Sequence, residues 1–346
     1  MSRILRNLNH IVDCLTVARA KSKLRIAFYS TERSFFCPDE EVRIEEPGFL
    51  IEFKESLEEL LSTQGAYDVL MLACHNAWED RIIWEARRRG VADLYVAWLW
   101  DNHHHPANNM RMAAAADLVL VSHWFDRGVV ISQASVIGPH VPPPSRQWSP
   151  AAITRHYPSG LPLDRNDGLF GGFGLYSFTP RTRFLQACQA ALPGHRISLI
   201  RDLRSYFARP YSDRLAEWMG HKVQLLAPVN RDVSTRLFES LITGQIPLIP
   251  EDCPDLDLVV PPTVRDELPI IRYVPGSVDS VVEAHRAAIR SFDEEGQAGI
   301  ERRSAYVMNN HSVGHRLRRI ARLIKGFQRV TLGDDAGAFG AFAKLD

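Results

Sequence analysis

The stretch of residues 229–256 carries the side chains best suited to hold an anionic ligand. Its pattern predicts a helix that begins at Ser234, with Thr235 and Arg236 in the first turn. The backbone N–H groups at the start of such a helix, together with the helix dipole, attract a diphosphate. Glu239 lies about one and a half turns into the helix, where its carboxylate can accept hydrogen bonds from two vicinal ribose hydroxyls. The alternative interpretation of Glu239 is an ordinary solvated glutamate on a helix.

A glycine-rich strand followed by two arginines forms a second candidate site for an anion. Gly171, Gly172 and Gly174 leave room for a ligand to approach the backbone closely. Arg181 and Arg183 follow at the start of the next predicted helix, where planar guanidinium groups can bind a diphosphate through paired hydrogen bonds. Such groups also stabilise the charge that grows on a departing nucleotide, and we assign that catalytic role to Arg181. The alternative is a tight strand-to-helix turn without a ligand.

A polar loop in the first half of the chain brings together Asp101, His103, His104 and His105. These residues follow the predicted strand 94–100, so they lie at its carboxyl end. Neighbouring histidines on an extended loop point in different directions, and no H-x-x-x-H helix or matching Cys/His set completes a metal site. We therefore predict no metal, and expect Asp101 or His103 to take a proton from a reacting hydroxyl or to steady a leaving phosphate. The alternative is a loop that only caps the strand.

Polar residues also follow two other predicted strands. His75 and Glu79 come after one of them, and His123 and Arg127 come after the other. Each of these side chains, taken alone, is better explained as structural than as catalytic. Because the carboxyl ends of parallel strands meet at one edge of a sheet, together they predict a polar cleft.

Short apolar runs alternate with helical patterns along the chain, as expected for strands joined by crossover helices in a mostly parallel sheet. The predicted strands span residues 24–30, 67–74, 94–100, 117–123, 168–175, 197–202, 222–228 and 246–250. The predicted helices span residues 56–64, 79–90, 110–116, 182–192, 234–244, 277–292 and 312–327. Gly90 and Gly244 are expected to end two of these helices.

The length of 346 residues is about twice that of a typical domain. The proline-rich stretch 138–168 lacks a long hydrophobic period and is predicted to be a linker or a set of surface loops. The predicted fold class is therefore α/β, with two Rossmann-like βαβ domains that face a central cleft. We assign residues 1–150 to the first domain and 165–328 to the second, and expect a loosely ordered tail over 329–346.

The composition argues against several classes of protein. Lys plus Arg and Asp plus Glu number 41 each, so the net charge is zero and nothing marks the chain as a nucleic-acid binder. The five cysteines are widely spaced and include no C-x-x-C pair, which favours a reducing cytoplasm over a disulfide framework. Residues 3–19 can form an amphipathic helix, which either packs on its own domain or makes peripheral contact with a membrane.

The order and spacing of residues 234–248 resemble the C-terminal domain of group 1 glycosyltransferases, in the signature S-x-R-x-F-E-x-L-x-x-G-x-x-P-L. The matching residues are Ser234, Arg236, Phe238, Glu239, Leu241, Gly244, Pro247 and Leu248. Members of the family often carry a second acidic residue some seven positions before the glutamate. Here that region reads Asn230, Arg231 and Asp232, so Asp232 is a displaced candidate.

Two further stretches resemble the same family. The strand that ends in Gly172 and Gly174, followed by Arg181 and Arg183, is similar to the family's strand, loop and arginine-led helix. A late segment is similar to the H-x-x-x-H-R stretch that closes these proteins. Its residues are His311, His315 and Arg316, which we interpret first as packing residues.

The resemblance implies a GT-B fold and transfer of a sugar from a nucleoside diphosphate sugar to an acceptor hydroxyl, a hexosyltransferase-type activity in bacterial polysaccharide, glycolipid or protein glycosylation. In the family, the residue that matches Glu239 holds the donor ribose. Neither a cofactor nor a metal is implied, and nucleic acid is not an expected partner. The acceptor, whether a glycan, a lipid-linked sugar or a protein, is left open, as is the oligomeric state. Alternatives are a nucleotide-sugar epimerase and a non-catalytic nucleotide-sugar-binding partner subunit.

Overall fold

A computed structural model describes residues 13–31, 43–74, 79–99, 105–124, 136–138, 140–144, 148–175 and 179–326. Contacts between these residues divide the chain into two units. The first unit contains the described residues up to Pro142 together with those from Val313 onward, and the second contains Pro143–Ser312. Each unit is built on a mostly parallel sheet with helices, so the predicted α/β class with two Rossmann-like domains is confirmed.

The first unit alternates strands with helices. Its strands are β1 (Leu24–Ser30), β2 (Arg43–Glu46), β3 (Phe49–Phe53), β4 (Tyr67–Cys74), β5 (Ala92–Leu99), β6 (Leu118–Val121) and β7 (Val136–Ile137). Its helices before Pro142 are α1 (residues 13–20), α2 (Leu57–Leu61), α3 (Asp80–Arg89) and α4 (Pro106–Ala115). In the described part of the chain these strands form one sheet in the order β2-β3-β1-β4-β5-β6-β7, parallel throughout except for the antiparallel pair β2–β3.

Both faces of this sheet are buried, which explains why its central strands are nearly continuous apolar runs. Along β1, Ile26 and Phe28 belong to the hydrophobic cluster on one face, and Ala27 belongs to the cluster on the other. The neighbouring strand β4 repeats this alternation, with Met71 on the first face and Leu72 on the second. The side chains alternate in this way because successive residues of a strand point to opposite faces.

The second unit repeats the architecture with a smaller sheet. Its strands are β8 (Asn166–Gly174), β9 (Arg196–Ile200), β10 (His221–Leu225), β11 (Ile246–Pro250) and β12 (Ile271–Tyr273). Its helices are α5 (Pro150–His156), α6 (Thr179–Ala191), α7 (Leu203–Ala208), α8 (Tyr211–Met219), α9 (Arg236–Ile242), α10 (Leu256–Val259), α11 (Pro262–Arg265) and α12 (Val278–Asn310). The strands described here are all parallel, in the order β12-β11-β10-β8-β9.

The last described helix, α13 (Val313–Lys325), packs in the core of the first unit. Its buried residues Leu317, Ile320 and Ile324 join the hydrophobic cluster that covers one face of the first sheet. The helix lies within residues 165–328, which the sequence assigned to the second domain, but its apolar face belongs to the first unit.

Several elements depart from the predicted pattern. The antiparallel pair β2–β3 was not predicted, because its strands are only four and five residues long and neither carries a sustained apolar run or a regular alternation. The predicted linker 138–168 contains helix α5 and the start of β8. Among the helices that the structure describes, none combines the length and the apolar character needed to cross a membrane.

Candidate functional site

The paired strands β8 and β10 end at the same edge of the second sheet, and β8 ends in a run of glycines around Phe173. A Cβ atom at Gly171 would lie 2.6 Å from the Phe173 ring, so glycine at this position serves the packing of that ring. Gly172 is half-buried, and a Cβ there would make an ordinary 3.5 Å contact with Ile200. Gly172 and Gly174, the two predicted ligand contacts, therefore stand on either side of Phe173 at the end of this strand.

Arg181 binds backbone carbonyl groups at the ends of these two strands. It is buried on α6, where its Nε donates to the Ala227 carbonyl at 2.6 Å and its Nη1 donates to the Gly174 carbonyl at 3.0 Å. Its guanidinium carbon lies 5.2 Å from the centre of the Phe173 ring. The side chain thus ties β8 to the segment after β10 and places a positive charge at this edge of the sheet.

Arg236, the first residue of α9, approaches the same aromatic ring. Its guanidinium carbon lies 5.7 Å from the centre of the Phe173 ring, within the distance of a cation–π contact. The structure therefore brings together Arg181 and Arg236, two residues that the sequence singled out separately. Arg183 is exposed on α6, and residues two apart on a helix face different directions, so it does not join this pair.

The start of α9 differs in detail from the prediction. The helix begins at Arg236, its N-cap is Thr235, and the Thr235 side chain makes no capping hydrogen bond. Ser234 is therefore not the N-cap that the sequence predicts. Its carbonyl oxygen accepts a hydrogen bond from the Leu237 N–H at 3.1 Å, and the Thr235 carbonyl accepts one from the Glu239 N–H at 3.1 Å. Ser234 and Thr235 form the half-buried turn that leads into the helix.

Glu239 lies in the first turn of α9, closer to the helix start than the predicted one and a half turns. It follows Arg236 by three residues, which places both side chains on the same side of the helix. The residue is buried, with 6% of its surface exposed, and its carbonyl accepts a hydrogen bond from the Thr243 hydroxyl at 2.9 Å. A carboxylate in the first turn is also favoured by the helix dipole.

The loop before α9 is fastened to the segment that follows β11. Arg231 has a φ of 60°, the left-handed conformation that non-glycine residues rarely adopt, and is alone in this among the non-glycine residues that the structure describes. Its Nε donates to the Asp252 carbonyl at 3.0 Å and lies 3.1 Å from the Asp252 carboxylate.

Three carboxylates lie near the Cys253 thiol, beside this loop. Burial, followed by the charges of Asp232, Asp255 and Asp252, raises the pKa of the Cys253 thiol to about 12. The displaced candidate Asp232 is therefore a buried member of this group of carboxylates.

The late histidine and arginine of the third family-like stretch serve packing. His311 closes α12 and is buried, and its ring stacks on Phe238 with centroids 4.3 Å apart and planes 26° apart. Arg316 is buried on α13. These positions agree with the interpretation of the stretch as packing residues.

In the first unit, two of the predicted polar residues lie at the strand ends that the sequence indicated. Glu79 is buried just before α3, and its carboxylate accepts a hydrogen bond from the Thr31 hydroxyl. His123 is buried just after β6. The predicted residues that fall outside the described part of the chain are Asp101, His103, His104, His75 and Arg127.

Phe173 and Tyr273 are two residues of this site that the sequence analysis missed. Phe173 stands within the pattern G-G-F-G, so the glycines on either side are a signal that could have identified it. Tyr273 lies on β12, donates its hydroxyl to the Leu226 carbonyl at 2.8 Å, and stacks on Phe184 with centroids 5.9 Å apart. Burial raises the pKa of Tyr273. No local pattern marks Tyr273, because its partners come from distant segments.

The arrangement as a whole suits a ligand that carries both negative charge and hydroxyl groups. Arg181 and Arg236 bring two guanidinium groups to one ring, and guanidinium groups bind phosphate oxygens with good geometry. Glu239 offers carboxylate oxygens, which act as acceptors when ionised. Within the described residues, no three His, Cys, Asp or Glu side chains are grouped so that they could hold a metal ion.

Comparison with known proteins gave matches to solved structures. The sequence matches no family model and no curated protein. The fold is similar to a sucrose-phosphate synthase from Thermosynechococcus elongatus, with a TM-score of 0.49 and 12% identity over 88% of this chain and 99% of the other. It is also similar to a UDP-forming α,α-trehalose-phosphate synthase from Burkholderia xenovorans, with a TM-score of 0.46 and 10% identity over 87% and 100% of the two chains. A UDP-GlcNAc 2-epimerase from Neisseria meningitidis is similar with a TM-score of 0.42 and 9% identity over 87% and 98%.

Proposed function

We propose that the chain is a hexosyltransferase-type glycosyltransferase of the GT-B kind, which takes a sugar from a nucleoside diphosphate sugar and transfers it to an acceptor hydroxyl. The observation that carries this proposal is the grouping of Arg181 and Arg236 around Phe173, with Glu239 in the first turn of α9. Two cations suit a diphosphate, and a buried carboxylate suits a pair of ribose hydroxyls. Bacterial polysaccharide, glycolipid or protein glycosylation is the proposed setting.

Each residue of the group takes a part in donor binding. Arg236 is half-buried at the start of α9, and we assign it the direct contact with the diphosphate. Arg181 uses Nε and Nη1 to hold the backbone, so its contribution is a fixed positive charge beside the same group. Glu239 binds the ribose. The remaining proposed donor contacts are Gly172, Gly174, Ser234 and Thr235; the predicted contact of Arg183 is not kept, because this residue is exposed on another side of α6.

The proposed reaction requires the protein to position the donor and the acceptor and to stabilise the charge that develops on the leaving nucleotide. When the bond from the sugar to the diphosphate breaks, negative charge grows on the departing nucleotide, and fixed cations stabilise that charge more strongly in the transition state than in the bound donor. Arg181 and Arg236 would supply this stabilisation without a cofactor. Asp101 and His103 are the proposed groups for the proton of the acceptor hydroxyl.

The first test is a binding screen with the purified chain. Thermal unfolding and calorimetry are measured with UDP, GDP, dTDP, ADP and their common sugar conjugates, because a ligand that binds the folded state raises its stability. We expect one base to stabilise the chain selectively, followed by transfer of its sugar to an acceptor. Absence of stabilisation across the panel by a folded protein contradicts the proposal. Binding without turnover would instead support a non-catalytic binder, and sugar epimerised without transfer would support an epimerase.

The role of Glu239 is tested with Glu239→Ala and with the 2′-deoxy form of the best nucleoside diphosphate. Loss of hydrogen bonds to a charged group predicts about 10- to 100-fold weaker binding of the ribonucleotide. The wild type should prefer the ribonucleotide to its 2′-deoxy form, and Glu239→Ala should lose that preference. Glu283→Ala, at an exposed position on α12, is the matched control and should bind as the wild type does. An unchanged preference in a folded Glu239→Ala variant removes this residue from the ribose site.

A further inference from the structure

Two arginine side chains are buried side by side at the other edge of the second sheet, where its strands begin. Arg165 immediately precedes β8 and is 6% exposed, and Arg303 lies on α12 with none of its surface exposed. Their guanidinium carbons lie 5.6 and 5.4 Å from the centre of the Phe292 ring. Arg181 and Arg236 lie near the carboxyl ends of the strands, so the buried pair is separate from the proposed donor site.

The buried pair has more hydrogen-bond donors than the surrounding protein satisfies. Arg303 donates from Nε to the Gly244 carbonyl at 2.9 Å and from Nη1 to the Glu295 carboxylate. Arg165 donates from Nε to the Pro162 carbonyl at 2.8 Å. In the part of the chain that the structure describes, Nη1 and Nη2 of Arg165 and Nη2 of Arg303 have no acceptor, although all three atoms are buried. A buried donor without an acceptor costs about 1–3 kcal/mol, and more when the group is charged.

The charges at this edge are also unbalanced. Glu295 is shared between Arg303 and Arg302, whose Nη2 lies 3.2 Å from the carboxylate. Burial, followed by the nearby charge of Arg303, lowers the pKa of Arg165 to about 9; Tyr157 acts weakly in the opposite direction, and no carboxylate does. Arg165 therefore keeps its charge at neutral pH, inside the protein, without a negative partner. Isolated buried charges are costly unless they are paired.

Glycines bring the backbone close to both guanidinium groups. A Cβ atom at Gly244 would lie 3.3 Å from Nη2 of Arg165, and one at Gly299 would lie 3.0 Å from Nη1 of Arg303. A Cβ atom at these two positions would come still closer to Ile300 and to Glu295, so the backbone is tightly packed beside both arginines. Helix α12 is interrupted next to Glu295, at Gly296, where φ is 55° and ψ is −143°.

We propose that Arg165 and Arg303 form a binding site for a small tetrahedral oxyanion, either inorganic phosphate or the phosphate of a phosphorylated metabolite. One such anion would supply acceptors to the three unpaired Nη groups and the missing negative charge. The Nη atoms are closed off from solvent, so the anion enters when the segment between α5 and β8 moves. Two hydrogen bonds hold that segment at the site: Nε of Arg165 donates to the Pro162 carbonyl, and Nε2 of Gln297 on α12 donates to the Leu161 carbonyl.

The test measures hydrogen exchange and thermal stability with inorganic phosphate against chloride at equal ionic strength. Phosphate should slow exchange in peptides that cover residues 157–170 and 293–304 of the wild type, and raise its unfolding temperature. Arg165→Met should lose this local protection. Arg286→Met removes an exposed arginine from α12 and should keep it. Arg236→Met should also keep it, which separates this site from phosphate bound at the proposed donor site.

Two further measurements make the result decisive. Arg165→Lys keeps a positive charge but loses the planar guanidinium group, so it should fold and bind phosphate at least about tenfold more weakly than the wild type. If Arg165→Met does not fold, Arg165→Lys replaces it as the variant that tests the site. Ribose 5-phosphate, compared with inorganic phosphate, tells which source fits, and local protection by either supports the site. Wild-type protein without phosphate-dependent protection in these peptides overturns the proposal, as does equal protection in a folded Arg165 variant.

Discussion

The imidazole of His140 is buried in the first unit and faces two arginines of α13. Burial, followed by the charges of Arg316 and Arg319, lowers the pKa of His140 to about 3. The backbone here is fixed, because the indole Nε1 of Trp98 donates to the His140 carbonyl at 2.7 Å. The folded protein therefore keeps this ring neutral over a range of pH in which the unfolded chain takes up a proton.

This difference predicts a loss of stability in acid. Below the unfolded pKa of about 6.5 and down to a pH of about 3, the unfolded state binds one proton more at His140 than the folded state does. The free energy of unfolding should therefore fall by up to about 1.4 kcal/mol per pH unit from this residue alone. His140→Gln should remove that share of the slope. Urea unfolding at a series of pH values between 7 and 4.5 measures it.

Trp98→Phe is the control for this prediction. It removes the hydrogen bond to the His140 carbonyl but leaves the imidazole in place. The variant should lower the free energy of unfolding by a similar amount at every pH, with the slope of the wild type. If His140→Gln keeps the wild-type slope as well, the acid sensitivity arises from other groups.

At the scale of single residues, the sequence indicates which side chains lie close together better than it indicates their hydrogen-bond partners. The positions of Arg181, Arg236 and Glu239 followed from residue type and spacing, and the structure groups the two arginines. That Arg181 binds the carbonyls of Gly174 and Ala227 could not be predicted, because both acceptors are backbone atoms. Every residue carries such an acceptor, so no sequence pattern points to them.

Helix α9 ends in a Schellman motif, as the glycine in the sequence signature predicts. The Gly244 N–H donates to the Leu241 carbonyl and the Gln245 N–H to the Ser240 carbonyl, both at 2.9 Å. Gly244 has a φ of 78°, and a Cβ atom there would lie 2.6 Å from Cγ2 of Ile300. This position therefore needs glycine for two reasons, backbone conformation and close approach to α12.

Gly244→Ala and Gly276→Ala together separate these two reasons. Gly276 also has a φ of 78°, but a Cβ atom there would meet nothing within 4 Å. Gly276→Ala should cost about 1–2 kcal/mol from the left-handed conformation alone. Gly244→Ala should cost about 1–3 kcal/mol more, because the new methyl group overlaps a packed side chain. Chemical denaturation measures both, and equal losses would show that Ile300 moves aside without cost.

At the scale of elements, the buried strands and their following helices could be predicted. Strands 24–30 and 67–74 coincide with β1 and β4, and Gly90 ends α3 in the left-handed conformation with a φ of 63°. Burial on both faces makes such strands uniformly apolar, which is a strong signal. The edge pair β2–β3 gives no comparable signal, since Arg43 and Glu45 are exposed and its register is set by pairing across a short turn.

At the scale of the whole chain, the sequence predicts two α/β units but not which elements each contains. Helix α13 follows the second unit in the chain, and its apolar residues recur with helical spacing. That periodicity predicts a buried face but not the surface that buries it. The structure assigns this face to the first sheet, where Leu317 and Ile320 join a cluster that includes Ile26 and Trp98.

The packing of α13 predicts which unit loses stability when an apolar side chain of this helix is truncated. Leu317→Ala should destabilise the first unit by about 2–5 kcal/mol, because Leu317 is fully buried against its sheet. Hydrogen exchange should therefore rise in peptides from β1, β4 and β5 before it rises in peptides from β8, β10 and β11. Leu323→Ala, at a half-buried position on the same helix, is the matched control and should cost less. Faster exchange that begins in the second unit would show that α13 stabilises that unit instead.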